Sequence, residues 1–232
     1  MRHSKRFIEL KNKVETDKTY TLKEGIAVVK ELANAKFDES VEISIRLGVD
    51  PKRSDQMVRG SAVLPHGTGK QKKVLVLTIE KEKEAKEAGA DFVGGIDYIE
   101  KIRKGWLDFD SVIATPEIMK EVAKLGKILG VRGLMPSPKT GTMTSDVKNA
   151  VNEIKRGKIN FKMDKTGNIH GIIGKVSFND ENLYENALEF LRGVLSARPS
   201  QVKGNYIRSI SISSTMGPGI RIDTKDIMAA IK

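Results

Sequence analysis

Across residues 208–213 the chain alternates, with Ile210 and Ile212 set between Ser209, Ser211 and Ser213. A period of two puts the isoleucines on one face of a strand and the serines on the other. Small hydroxyls in a row make a low, smooth face of hydrogen-bonding groups, suited to a shaped polar partner such as an RNA backbone. The strand runs into Thr215-Met216-Gly217-Pro218-Gly219. Glycine there lets another backbone come close, and Pro218 stiffens the turn. The same residues also read as an ordinary half-buried strand and its turn.

Other candidate chemistry fails on spacing. Gly67-Thr68-Gly69-Lys70-Gln71 lacks two parts of a phosphate loop, because Leu64 stands where the first glycine belongs and Gln71 where Ser or Thr must follow the lysine. Gly174-Lys175 fails in the same way, with Ile169 and Val176. Gly171-Ile172-Ile173-Gly174 has the letters of the KH-domain clamp but sits inside a predicted strand. His3, His66 and His170 are not at ligand spacing and there is no cysteine, so neither a metal site nor a cofactor is expected. Asp108 and Asp110 lack a flanking histidine or nucleophile and read as a solvated edge. No serine lies in a G-x-S-x-G elbow, so no catalytic residue is assigned. Trp106, the single tryptophan, reads as a core or surface anchor. Residues 132–141 combine two prolines, two glycines and two cations into a stiff basic loop that could present charge to phosphates or pack on its own domain.

Composition narrows the partner. A net charge of +11 and a pI near 9.6 favour an anion, nucleic acid before a membrane surface. The hydrophobic content of 39% is enough for real cores, and the length of 232 residues allows one large domain or two small ones. Absence of cysteine fits a reducing compartment. The chain contains no apolar run long enough to span a membrane, and its basic N-terminus has no apolar stretch behind it.

Several elements must position these residues. Residues 5–14 predict a short amphipathic helix. Thr21 and Glu24 form a capping box for a helix carrying Leu22, Ile26, Val29 and Leu32. Residues 40–47 alternate as a strand, residues 57–64 predict a second, and the two are expected to form an antiparallel hairpin. The style then changes. Residues 73–79 and 111–114 are apolar runs of strands buried on both faces, interleaved with short helices, the pattern of a parallel three-layer α/β unit. Thr115 and Pro116 read as N-cap and first helical residue. Residues 126–142 are expected as a long loop and 146–156 as a helix. A strand at 158–163, a hairpin turn at 164–168 and a returning strand at 169–178 follow, then a helix over 183–195 and the serine strand.

The economical architecture is α+β. A discontinuous antiparallel-sheet domain with helices packed in two layers, residues 1–66 and 158–232, carries an inserted α/β domain, 67–157. The Gly/Lys-rich crossings, with Gly67, Gly69 and Gly157, suit a two-stranded hinge. The split domain carries +7 of the net charge and the insert +4, which points to the split domain as the surface for an anionic partner.

Five stretches occur in a telling order: Lys36-Phe37-Asp38-Glu39, Ser54-Asp55-Gln56, Leu64-Pro65-His66-Gly67-Thr68-Gly69-Lys70, Arg132-Gly133-Leu134-Met135-Pro136 and Ser214-Thr215-Met216-Gly217-Pro218. Over residues 5–222 the chain resembles the bacterial-type L-one family of large-subunit ribosomal proteins. It departs from the family pattern at Val131, Ser137 and Gly171-Ile172. The resemblance implies a split RNA-binding domain, an inserted Rossmann-like domain, and a hinge between them. It implies binding to large-subunit ribosomal RNA in the mobile stalk beside the exit site for tRNA, assistance to release of deacylated tRNA, repression of the protein's own operon mRNA, and a cytoplasmic, ribosomal location. No membrane or small-molecule substrate is implied. The family's RNA-contacting positions fall on Phe37, Thr215, Met216 and Gly217. Charge and strand-face position add Lys36, Lys165, His170, Lys175, Ser209 and Ser211, on a hydroxyl-bearing edge of the sheet. Two other classes remain open from the residues alone: an α/β enzyme binding a nucleotide in the inserted domain, and a binder of nucleic acid or membrane surface driven only by charge.

Overall fold

A computed structural model describes residues 4–15, 18–202 and 204–231, so His3 and the start of the basic N-terminus lie outside the described residues. The elements begin with α1 (Lys5–Asn12), α2 (Leu22–Leu32), β1 (Ser40–Leu47) and β2 (Arg59–Val63). Next come β3 (Val74–Leu77), α3 (Glu82–Glu87), β4 (Phe92–Gly94), α4 (Ile96–Arg103), β5 (Ser111–Ala114), α5 (Met119–Ala123), α6 (Gly126–Leu129) and α7 (Val147–Arg156). The chain finishes with β6 (Lys158–Lys162), β7 (Asn168–Lys175), α8 (Asp180–Ser196), β8 (Ile207–Ser214), β9 (Ile220–Ile222) and α9 (Thr224–Ile231). They group into two compact units, Met1–Gly69 with Ile159–Lys232, and Lys70–Lys158. The fold class is α+β.

In the first unit, β7, β1, β8 and β9 form an antiparallel sheet in that order. Period-two alternation sends Val41, Ile43, Ile45 and Leu47 inward from β1, where Ile43 pairs with Ile212 and Ile45 with Ile210. These side chains meet Leu22, Ile26, Val29 and Leu32 of α2 and Leu183, Ala187, Phe190, Leu191 and Val194 of α8 in one buried core. Helix α2 starts where its sequence says: Thr21 Oγ1 accepts the Glu24 N–H and the Glu24 carboxylate accepts the Thr21 N–H. A fully buried Asn186 on α8 is satisfied on both sides, accepting the His66 N–H at 3.0 Å and donating to the carbonyls of Gly67 (2.9 Å) and Ile173 (2.7 Å).

Two expected hairpins do not form. β1 pairs with β7 and β8, whereas β2 pairs with β6 in a separate two-stranded sheet. The turn at 164–168 closes, with the Asp164 N–H on Asn168 O at 2.8 Å, yet β6 and β7 then part to different sheets. Alternation chooses a face, not a neighbour; here packing chooses the neighbour. Gly60 of β2 leaves room for the Phe161 ring of β6, since a Cβ there would stand 2.7 Å from it. Phe161 in turn meets Phe190 edge-on at 5.5 Å. β9 and α9 extend the fold beyond the last expected element.

In the second unit, β4, β3 and β5 form a parallel sheet in the order β4-β3-β5. Leu75 and Leu77 join Ile99, Ile102, Val122, Leu125 and Leu129 on one side. Val74 and Val76 join Ala85, Val147, Ala150, Val151 and Ile154 on the other, so β3 is buried on both faces, as its continuous apolar run requires. The expected long loop over 126–142 is more ordered than predicted. It holds α6 and a 3₁₀ turn, Pro138–Thr140, because Leu125 and Leu129 are spaced to bury one helical face. Thr115 does not cap: its buried hydroxyl has no hydrogen-bond partner, and a 3₁₀ turn rather than an α-turn follows it. Among the described residues no helix is long and apolar enough to cross a membrane.

Candidate nucleic-acid interface

The outward side of the four-stranded sheet is a polar lattice. Register sets Asn168, Arg46 and Ser209 side by side across three strands. The next row runs His170, Ser44, Ser211, Arg221, one residue from each of the four strands. A third row holds Ile172, Glu42 and Ser213. Ser44 Oγ lies 3.0 Å from His170 Nδ1, so the second row is joined across β1 and β7. β8 lies between β1 and β9, so its serines occupy the face of the sheet and not an edge; only strand order, invisible to periodicity, decides this.

One end of that face gathers the two loops that the residue types had marked. Glu39 is 2% exposed; its Oε2 accepts the Met216 N–H at 2.9 Å and its Oε1 the Ala35 N–H at 3.0 Å. This one carboxylate ties the loop carrying Lys36 and Phe37 to the turn carrying Met216 and Gly217. Burial opposes its charge, but the bonds from the Met216 and Ala35 N–H groups outweigh burial, and its carboxyl is held below the usual range. Phe37 and Met216 are left 55% and 47% exposed. Lys36, on the same loop as Phe37, is exposed as well. The Thr215 hydroxyl accepts the Ser40 N–H at 3.0 Å, and the Thr215 N–H donates to Ser40 O at 3.0 Å. Lys175 Nζ donates to Ser40 Oγ (3.0 Å) and Asp38 O (3.3 Å) at the same end.

Lys165 stands apart from this group. It is exposed in the turn before β7, the length of that strand away from Lys175, roughly 23 Å at 3.3 Å per residue. The turn is built on Asp164, which accepts the Asn168 N–H, the Thr166 N–H and the Thr166 hydroxyl, each at 2.8 Å. Those bonds, the Asn168 N–H first, hold its carboxyl far below the usual range. At the other border, Phe7, Lys11, Val14, Glu15 and Lys18 with Pro218 and Arg221 line a groove of about 280 Å³, so the row ending in Arg221 continues into two further cations and one carboxylate.

Residues 29–218 match the Ribosomal protein L1p/L10e family. The chain is also 53% identical over 236 aligned positions to the large ribosomal subunit protein uL1 of Persephonella marina, covering 100% of this chain and 98% of that protein. The chain belongs to the ribosomal protein L1 family. An L1-family chain is a ribosomal protein and not an enzyme, which sets aside the nucleotide-enzyme alternative.

Other residues of this L1-family chain fall as follows. Asp108 and Asp110 do not form an acid–base pair: Lys73 holds the first at 2.7 Å and Lys70 the second at 2.6 Å. In the basic loop, Ser137 O accepts the N–H groups of Thr140, Thr142 and Met143, so residues 137–143 pack on their own unit while Arg132 and Lys139 stay exposed. Gly67, Gly69 and Gly157 all have left-handed φ, at 65°, 75° and 114°. Sequence reasoning missed Ser44, Arg46 and Arg221 as members of the polar face and Glu39 as its clamp. The alternation at 40–47 already marked Ser44 and Arg46 as outward, but only register shows what they stand beside.

Proposed function

We propose that this protein is a structural constituent of the large ribosomal subunit, cytoplasmic with the ribosome, that binds large-subunit rRNA on the outward sheet face and its Phe37–Thr215 end. The observation that carries the reading is the unbroken row His170, Ser44, Ser211, Arg221 leading to the Glu39-clamped loops. Hydroxyls, one imidazole and cations at strand spacing match the 2′-hydroxyls and phosphates by which folded RNA is recognised. Lys36, Phe37, Lys175, Met216 and Gly217 form the end contact, Ser209, Ser211 and His170 the face, and Lys165 an outlying phosphate contact.

In the finer reading, the bound RNA is the mobile stalk beside the exit site, where the protein assists release of deacylated tRNA. The chain also represses its own operon mRNA by binding a mimic of the stalk site. The Lys70–Lys158 unit is then an inserted Rossmann-like domain, with the hinge at Gly67, Gly69 and Gly157. The both-face burial of β3 and the left-handed glycines near the two crossings support this.

Competition binding tests it. Stalk RNA and an unrelated duplex of equal length are titrated against the full chain at 50 and 200 mM salt. Shape recognition keeps a preference for stalk RNA of at least about 10³ at the higher salt. Equal loss of both signals would leave only a charge-driven binder.

A further inference from the structure

All four aromatic residues of the Lys70–Lys158 unit meet in one place. The Trp106 ring stands edge-on to Phe92, with centroids 4.9 Å apart, and lies 5.4 Å from both Tyr98 and Phe109. Phe109 is buried, but Phe92, Tyr98 and Trp106 are only half-buried. These three rings line an open cavity of about 410 Å³ whose remaining walls are Lys101 and Lys104. Lys101 Nζ already sits 4.4 Å from the centre of the Tyr98 ring. Neither lysine has a carboxylate within 4.0 Å among the described residues.

We propose that this cavity is a stacking site for an unpaired RNA nucleotide, with its base against the aromatic rings and its phosphate between Lys101 and Lys104. A ring-lined floor accepts any flat π-face, and this tolerance is how single strands are held without sequence readout. A half-buried aromatic cluster alone would suit any apolar partner. The two unpaired lysines on the rim decide for a ligand that is planar and anionic at once, and a nucleotide is both. The cavity belongs to the second unit and does not rest on the sheet face, so failure of either site leaves the other standing.

Trp106 is the only tryptophan, so its fluorescence in the full chain reports this cavity alone. Six-nucleotide oligoadenylate should quench it saturably, with a Kd of about 10⁻⁴–10⁻⁶ M at physiological salt. Oligouridylate of the same length should bind more weakly, because it stacks less. Lys101→Glu with Lys104→Glu, both exposed positions, should weaken oligoadenylate at least about tenfold and lower the log–log salt slope by about 0.7, the share of one phosphate contact on a single strand. Tyr98→Leu, which keeps the apolar filling, should lose several-fold in affinity with little change in salt slope. No saturable quenching of the unmodified protein by oligoadenylate overturns the proposal. So does quenching that the double charge reversal leaves undiminished, or a proline-rich peptide that quenches at lower concentration than the RNA.

Discussion

The Glu39 carboxylate and the Met216 N–H are 2.9 Å apart, and through this bond a buried charge joins two loops that are distant in sequence. Glu39→Gln keeps one acceptor oxygen but turns an NH₂ group toward one of the two N–H donors. Stability should fall by about 1–3 kcal/mol, and RNA affinity should fall with it as Phe37 and Met216 lose their common anchor. The Glu39 carboxyl is lowered from its ordinary 4.5, so its contribution is present above that value and lost as the pH falls through the lower folded value. Urea midpoints at pH 6 and pH 3.5 should differ more for the native protein than for the variant. An equal difference would remove Glu39 as the source.

Thr215→Val deletes the hydroxyl that accepts the Ser40 N–H. About 1 kcal/mol of stability should be lost, and RNA binding should weaken well beyond that of Lys165→Ala at the outlying turn. Thr215→Ser should restore most of both. A gel shift showing less than twofold loss for the valine variant takes Thr215 out of the site.

Arg221 ends the four-residue row and lines the groove beside α1. Arg221→Ala should weaken all RNA partners alike and reduce the log–log salt slope by about 0.7–0.9, one phosphate contact. An unchanged slope would confine the RNA to β7, β1 and β8.

Tyr206 donates its hydroxyl to Val194 O at 3.1 Å, and burial pushes its phenol from 10.0 up to about 12. The folded state therefore keeps the proton while the unfolded chain releases it. The stabilisation is complete below pH 10 and disappears as the pH rises toward about 12. Tyr206→Phe should cost about 0.5–1.5 kcal/mol at neutral pH. Its thermal midpoint should fall less steeply over that alkaline window, which a pair of melting series would check.

Local signals carried a good part of this molecule. The capping box at Thr21 and Glu24, the alternation of residues 40–47 and 208–213, and the continuous apolar run at 74–77 state which face each element buries, because side-chain period is a property of the backbone conformation itself. The five ordered motifs carried the family, and with it the expectation of RNA at Phe37 and Thr215.

Tertiary structure decided the rest. Which strands lie beside β1, and that Glu39 holds Met216, join residues more than a hundred positions apart, and whether the serines of β8 sit on a face or an edge rests on β9 pairing along its other side. A two-residue period is satisfied equally by any neighbour, so only the packing of Phe161 against Gly60 and Phe190, and the register of four strands, could choose among them.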